Sequence, residues 1–366
     1  MKKIVTILIS LSLGFTAFGQ TDRHCSDEGI KFTEAKDLTI IGKVFPNTPE
    51  PYQRIDFNKY GGWTSKDIRL LKMSTGMAVC FRTDSPIITV KTEFYKADNS
   101  GKPAWAYRGY DLYIKKDGEW LWAYDVYAPA SADESPNLKL IDKMDGTMHE
   151  CLVYSPIYSW EKSIKIGVQE GSVIEPIDPP FRHNICIQGS SYMHGVSSIR
   201  AGATVPGFLT RATGLQFNSL AVSGDCEMQP QFLAALKDVD AEAFVFDAFS
   251  NPLAETIEAR LFPFIEGLQQ AHPGVPLIFI SSIYREYRNF IPSKEAQEAA
   301  KEQMADSLMR IACKKYKDVY YVKSNATLPN HETSADGVHP DSGGYLLWAE
   351  SIRKPLLKIF RRYGIK

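Results

Sequence analysis

The stretch Pro176-Ile-Asp-Pro-Pro-Phe-Arg-His-Asn-Ile-Cys-Ile-Gln-Gly-Ser-Ser191 separates two kinds of sequence. Its proline cluster, Pro176 to Pro180, is unsuited to a sheet ladder and reads as a stiff linker, so a domain boundary is expected there. Directly after it, Asn184 to Gln188 is an apolar strand pattern that stops at Gly189-Ser190-Ser191. Downstream, strand and helix patterns alternate. Helices are expected at Thr204–Thr213, Gln229–Lys237, 254–271, Ser293–Tyr316 and 342–360. Strands are expected at Phe217–Val222, Ala243–Asp247, Pro276–Ser281 and Val319–Val322. Five apolar strands alternating with helices imply a parallel sheet covered on both faces, over residues 182–366. In such sheets, sites form where strands end and loops begin.

Upstream, over 40–178, the pattern has period two. Met77–Arg82, Ile87–Phe94, Asp111–Lys115, Trp120–Tyr124 and Ser163–Val168 are short and rich in β-branched or aromatic residues. Turn signals separate them, among them Asp98–Gly101, and Lys116-Asp-Gly118 marks a hairpin. Many short antiparallel strands without a long helix predict a β-sandwich or jelly roll.

Residues 1–19 read as a signal peptide. Lys2 and Lys3 precede an apolar run from Ile4 to Phe18, and Ala17-Phe-Gly19 supplies small residues for cleavage. The run is shorter than the span of about 20 residues a membrane helix needs, and no cysteine follows it at once for a lipid anchor. Export to the periplasm or medium is therefore expected, with no stable membrane anchor. A net charge of −1 supplies no basic excess to neutralise phosphates, which argues against nucleic acid. The six cysteines are scattered without metal-ligand spacing, so no metal is expected. Disulfide connectivity is not legible, and Cys186, inside an apolar strand, reads as a buried thiol.

Chemistry concentrates at strand ends. Gly189-Ser190-Ser191 puts a hydroxyl at a strand-to-loop corner, either as a nucleophile or as turn punctuation, with Ser190 and Ser191 in competition. Gly224, after the second strand, can turn its N–H toward an oxyanion or simply make a turn. Asn251, after the third, can donate its amide to the same oxyanion or cap the next helix. Asp336 and His339, at i and i+3, can project to one side, with the carboxylate holding the imidazole that takes the serine proton. Arg200 is a candidate for positioning substrate, or for a salt bridge fixing the loop near the nucleophile. Trp105, Tyr107, Tyr110 and Tyr113 offer rings for stacking on sugars, although Tyr113 also suits the sandwich core.

In this order, and in Gly189-Ser190-Ser191 through Gly195, Arg200-Ala-Gly202, Pro206, Gly224, Asn251 and Asp336-Gly-Val-His-Pro340, the chain resembles the SGNH (GDSL-like) hydrolase superfamily. It is similar in particular to a subgroup with Gly-Thr-Ser-x-x-x-Gly followed by Arg-Pro-Gly, in which the third residue is the nucleophile. Gly109-Tyr-Asp-Leu-Tyr113 looks like the Gly-x-Asp-Leu-Tyr signature of a β-domain that precedes such hydrolases. The departures are Ser190 for Thr, Ala201 for Pro, and Asp225-Cys226 where Asn-Gly is usual.

The resemblance implies a flavodoxin-like α/β hydrolase domain behind a β-sandwich. It further implies a triad of Ser191, His339 and Asp336, and an oxyanion hole from Ser191, Gly224 and Asn251, with no cofactor. Its expected partner is an acylated, chiefly acetylated, carbohydrate; the oligomeric state is not legible. Two other readings remain: a non-catalytic glycan-binding protein, and a lipase or thioesterase using the same residues.

Overall fold

The computed structural model describes residues 23–97, 103–131 and 134–366. The expected signal peptide over 1–19 and the turn Asp98–Gly101 lie outside the described residues.

Among the described residues, ten strands and two α-helices make up the first half. In chain order they are β1 (Ile30–Glu34), β2 (Thr39–Ile41), α1 (Ser65–Leu71), β3 (Ala78–Thr83), β4 (Ile88–Lys96), α2 (Ala104–Tyr107), β5 (Gly109–Lys116), β6 (Glu119–Tyr127), β7 (Asn137–Ile141), β8 (His149–Tyr154), β9 (Trp160–Gln169) and β10 (Ile174–Pro176). They form two antiparallel sheets, β1-β9-β4-β7 and β10-β3-β8-β5-β6, with β2 also on β3. Inward side chains such as Val79, Phe81, Val90, Leu112, Val153 and Ile166 fill the space between the sheets. Each such burial contributes roughly 1.5–3 kcal/mol.

Several details differ from the sequence reading. β1 lies ahead of residue 40, and all five of its residues pair with β9. Pro176 does join a ladder, pairing with Phe81, because β10 is an edge strand where a missing N–H is tolerated. Tyr107, Tyr110 and Tyr113 are buried at 4%, 0% and 3% exposure, so their rings pack inside and do not face sugars. Helix α1 arises from a capping box that was not read in the sequence. Asp67 N–H donates to Thr64 Oγ1 (3.1 Å), and Thr64 N–H donates to Asp67 Oδ2 (3.0 Å).

The second half contains β11 (Arg182–Gln188), α3 (Ser191–His194), α4 (Val205–Thr213), β12 (Leu215–Ser219), α5 (Pro230–Leu236), β13 (Ala243–Phe246), α6 (Ala254–Ala271), β14 (Leu277–Ile280), α7 (Pro292–Lys315), β15 (Val319–Val322) and α8 (Ser342–Phe360). Its sheet is fully parallel in the order β12-β11-β13-β14-β15, the flavodoxin-like order. Strand order reverses at β11, so a crevice opens above its C-terminal end. Every residue of β13 and β14 is buried, which explains their continuous apolar sequence. No helix among the described residues is long and apolar enough to cross a membrane.

One apolar cluster crosses between the halves. Val44, Ile55, Leu70, Ile157 and Tyr158 pack with Leu220, Val222, Phe232 and Phe246. Arg54, fully buried, crosses with them. Its guanidinium donates to Leu70 O (2.8 Å) and Met73 O (3.2 Å) on its own side, and to Ala221 O (2.7 Å) beyond β12. Among the described residues only carbonyls accept from this cation, and one of them, Leu70 O, lies in the last turn of α1, where the helix dipole favours positive charge.

Glu161 on β9 is buried, and neither of its carboxyl oxygens has a hydrogen-bond partner among the described residues; the Ser74 hydroxyl is turned to Pro156 O. Burial pushes this carboxyl up to about 8 from an ordinary 4.5. Folded Glu161 thus holds a proton that the unfolded chain releases above about pH 4.5. Its contribution is full below that value and is lost as pH rises toward 8. Glu161→Gln is expected to raise the melting temperature at pH 8.5 by several degrees and to change it little at pH 4.5, as thermal unfolding across pH will show.

Candidate active site

The end of β11 is shaped by close packing. A Cβ at Gly189 would sit 2.6 Å from Met193 Cγ and 3.0 Å from Asp247 Cβ, so only glycine fits the corner. Val222 N–H donates to Gly189 O (3.0 Å) and Asp247 N–H to Gln188 O (3.0 Å). These two bonds bring the loops after β12 and β13 to either side of the β11 loop.

Ser190 caps α3, accepting from Tyr192 N–H at 3.2 Å, and donates its hydroxyl to Asp247 Oδ2 at 2.5 Å. It is fully buried and already committed. Ser191 is the first residue of α3, and its Oγ lies 3.0 Å from His339 Nε2. A first-turn N–H has no partner within its helix, and that of Ser191 has none elsewhere among the described residues.

The Asp336–His339 turn is held at several points. His339 N–H (2.7 Å) and Val338 N–H (3.0 Å) donate to Asp336 Oδ1, while His339 Nδ1 lies 2.8 Å from Asp336 Oδ2. Gly337 adopts a left-handed φ of 80°, and its N–H is taken by Ser334 Oγ. Burial pushes the Asp336 carboxyl up, but the bonds from His339 and Val338 outweigh it and leave the group below the usual range. A carboxylate at Nδ1 puts the ring proton there, so Nε2 is free to accept from Ser191. The edge of the Tyr192 ring supports the imidazole at 5.6 Å.

Gly224 follows β12 with a left-handed φ of 66°, and its N–H has no partner among the described residues. Asn251 does not cap α6, whose N-cap is Leu253. Its Oδ1 instead accepts from Cys226 N–H (3.1 Å), and its amide nitrogen has no partner among the described residues. Cys226, at one of the unusual positions, is buried with its thiol directed to Asp247 O (3.3 Å) and Gln188 Oε1 (3.4 Å). Its neighbour Asp225 is pushed up to about 7, first by burial and then by the Asp67 carboxyl of α1.

Arg200 faces the other half of the molecule. Its Nη1 donates to Asp111 Oδ2 (2.9 Å) and to Tyr113 OH (3.0 Å). Asp111, fully buried, also accepts from Gly202 N–H (3.0 Å) and Trp122 Nε1 (2.6 Å). The structure thus places Arg200 in a salt bridge with Asp111 that joins the two halves. The Gly-x-Asp-Leu-Tyr and Arg-x-Gly motifs meet here, one from each half.

The sequence reading missed the supports. Asp247 accepts from Ser190 and from the Ser250 hydroxyl, and burial raises its carboxyl despite those bonds. Behind it, Arg285 and Lys301 share the buried Glu298 carboxylate and both donate to Ser250 O. Ser250–Asp247 and Lys301–Glu298 are three residues apart, but Ser190–Asp247 and Arg285–Glu298 span 57 and 13 positions, so no local pattern marks the group as a whole. Among the described residues, no group of three or more His, Cys, Asp or Glu side chains is placed to hold a metal ion.

A model of the GDSL-like lipase/acylhydrolase family matches residues 182–357, and one of the N-terminus of SGNH-hydrolase-type esterases (GxDLY) matches 30–174. A protein described as a GDSL-like lipase, from Bacteroides ovatus, shares 31% identity at a TM-score of 0.85, over 91% of this chain and 98% of its own. The chain belongs to the GDSL-like lipase/acylhydrolase family. This family member also shares its fold with the salicylyl-acyltransferase SsfX3 of a tetracycline biosynthetic pathway (20% identity, TM-score 0.71, 91% and 98% covered). A family two carbohydrate esterase from Cellvibrio japonicus has the fold at 10% identity (TM-score 0.59, 91% and 98% covered). None of the curated proteins compared matches the chain.

Removing one member of a buried ion pair strands the other, at a cost of about 3 kcal/mol or more. Arg200→Ala is therefore expected to lower stability by about that amount in urea unfolding, with KM for 4-nitrophenyl acetate unchanged. A raised KM at wild-type stability would return Arg200 to a substrate contact.

Proposed function

We propose that this protein is an exported serine esterase that removes acyl groups, chiefly acetyl, from carbohydrates. The observation that carries the reading is the unbroken chain Ser191 Oγ–His339 Nε2–Asp336, at 3.0 and 2.8 Å. In this mechanism His339 Nε2 takes the Ser191 proton as Oγ attacks the acyl carbonyl. The oxyanion is held by the N–H groups of Ser191 and Gly224 and by the Asn251 amide. Collapse breaks the ester bond, and His339 gives the proton to the departing sugar oxygen, which leaves as a hydroxyl. Water, deprotonated by the same imidazole, then releases the acid and regenerates Ser191. Asp336 keeps the tautomer and stabilises the imidazolium without taking the proton. The cycle needs no metal or organic cofactor.

Support for the carbohydrate substrate comes from the shared fold with the carbohydrate esterase and from a leader-like segment at 1–19. The proposed units are that leader, a β-domain over 40–178 extended back to β1, and a hydrolase domain over 182–366. A glycan-binding protein without turnover fits poorly with a spare Ser191 N–H beside an intact hydrogen-bonded triad. Hydrolysis of lipid esters or thioesters would use the same residues, and an acyl chain-length series separates it from deacetylation.

Ser191→Ala is expected to reduce kcat on 4-nitrophenyl acetate by more than about a thousandfold, and Asp336→Asn by about a hundredfold or more. Undiminished turnover in Ser191→Ala would end the proposal. Free acetate released from a panel of acetylated polysaccharides, and absent with Ser191→Ala, identifies the substrate.

A further inference from the structure

We propose that the β-half holds the Gly224 N–H in its working orientation from behind, with Thr75, Tyr158 and Lys66 as positioning residues. This deepens the serine-esterase reading and rests on it. Gly224 sits between two pins. On one side, Ser223 N–H donates to His194 Nδ1 (3.2 Å), which places the ring proton on Nε2. That proton points to Thr75 Oγ1 (3.0 Å), whose own hydrogen goes to Ile157 O (2.6 Å). The Ser223 hydroxyl is bonded in addition to Tyr158 OH. On the other side, the Gly224 carbonyl accepts from Lys66 Nζ at 2.8 Å.

The first pin is rigid because its parts are packed. The His194 ring lies flat on Tyr158 (4.5 Å, 7°), and Tyr158 lies flat on Tyr107 (4.4 Å, 14°). All three are buried. Burial, reinforced by the Arg54 charge, holds His194 well below the ordinary imidazole range, so Nδ1 stays an acceptor. The second pin crosses from α1 to the exposed side of the loop. Between them lies a glycine with a φ of 66°, the residue least able to hold its own conformation. An oxyanion donor is effective when it needs no reorganisation as charge develops. Pinning Ser223 on one side of that N–H and the Gly224 carbonyl on the other meets that need. Thr75, Ile157, Tyr158 and Lys66 all belong to the β-half, so that half acts on the rate whether or not it touches substrate.

The test uses the full chain with Tyr158→Phe, Lys66→Met and Lys66→Arg, assayed on 4-nitrophenyl acetate and for inhibition by phenylboronic acid, whose tetrahedral adduct engages the oxyanion donors. Tyr158→Phe and Lys66→Met should each lower kcat about tenfold, part of the roughly hundred- to thousandfold that losing a donor costs. KM should hold, boronate inhibition should weaken in parallel, and Lys66→Arg should restore both. Wild-type kcat and boronate affinity in Tyr158→Phe and Lys66→Met, with active wild-type protein, would overturn the clamp and leave the esterase reading standing. A wild-type protein without Ser191-dependent turnover would remove both. Should Tyr158→Phe fail to fold, the exposed Lys66 pair decides alone.

Discussion

The buried Asp247 carboxylate is the constraint on which the site depends. It accepts the N–H and hydroxyl of Ser190 and the hydroxyl of Ser250. By taking Ser190, it fixes the cap of α3 and so the direction in which Ser191 leaves the strand. The same contact ties the end of β11 to the end of β13 across the point where strand order reverses. A buried carboxylate is costly unless its lone pairs are filled, and here three donors fill them. The Arg285–Glu298–Lys301 group behind Ser250 adds positive charge to the same wall.

The two halves share a buried core rather than meeting only at a polar surface. Their interface is an apolar core with Arg54 inside it, and the Asp111–Arg200 pair closes it at another point. Interfaces between mobile domains are usually more polar. The consequence reaches the site, since loop residues 222–225 stand against α1 and Tyr158 of the β-half. Gly109-Tyr-Asp-Leu-Tyr113 and Arg200-Ala-Gly202 thereby acquire a shared physical meaning as the two ends of one ion pair.

Much of the α/β half was legible in the sequence. The helices expected over 254–271 and 342–360 are observed as Ala254–Ala271 and Ser342–Phe360, and β15 has the expected bounds. Long amphipathic helices and fully buried strands carry strong periodic signals. The β-half was less readable. β1 and β7 are five residues long, too short for their alternation to stand out, and four of the six residues of β8 are buried. α1 escaped notice because its cap uses Asp67 where Glu or Gln is the usual sign.

Chain order and local pattern alone determined the layer architecture, the parallel sheet and the kinds of residue at each strand end. They left open which serine was free, whether Asn251 capped a helix, and what Arg200 touched. The tertiary structure decided those points: Ser190 is taken by Asp247, Asn251 by Cys226, and Arg200 by Asp111. The reason is physical. Periodicity follows from the repeat of a single helix or strand, whereas a hydrogen bond between residues 25, 57 or 89 positions apart depends on how separate elements pack.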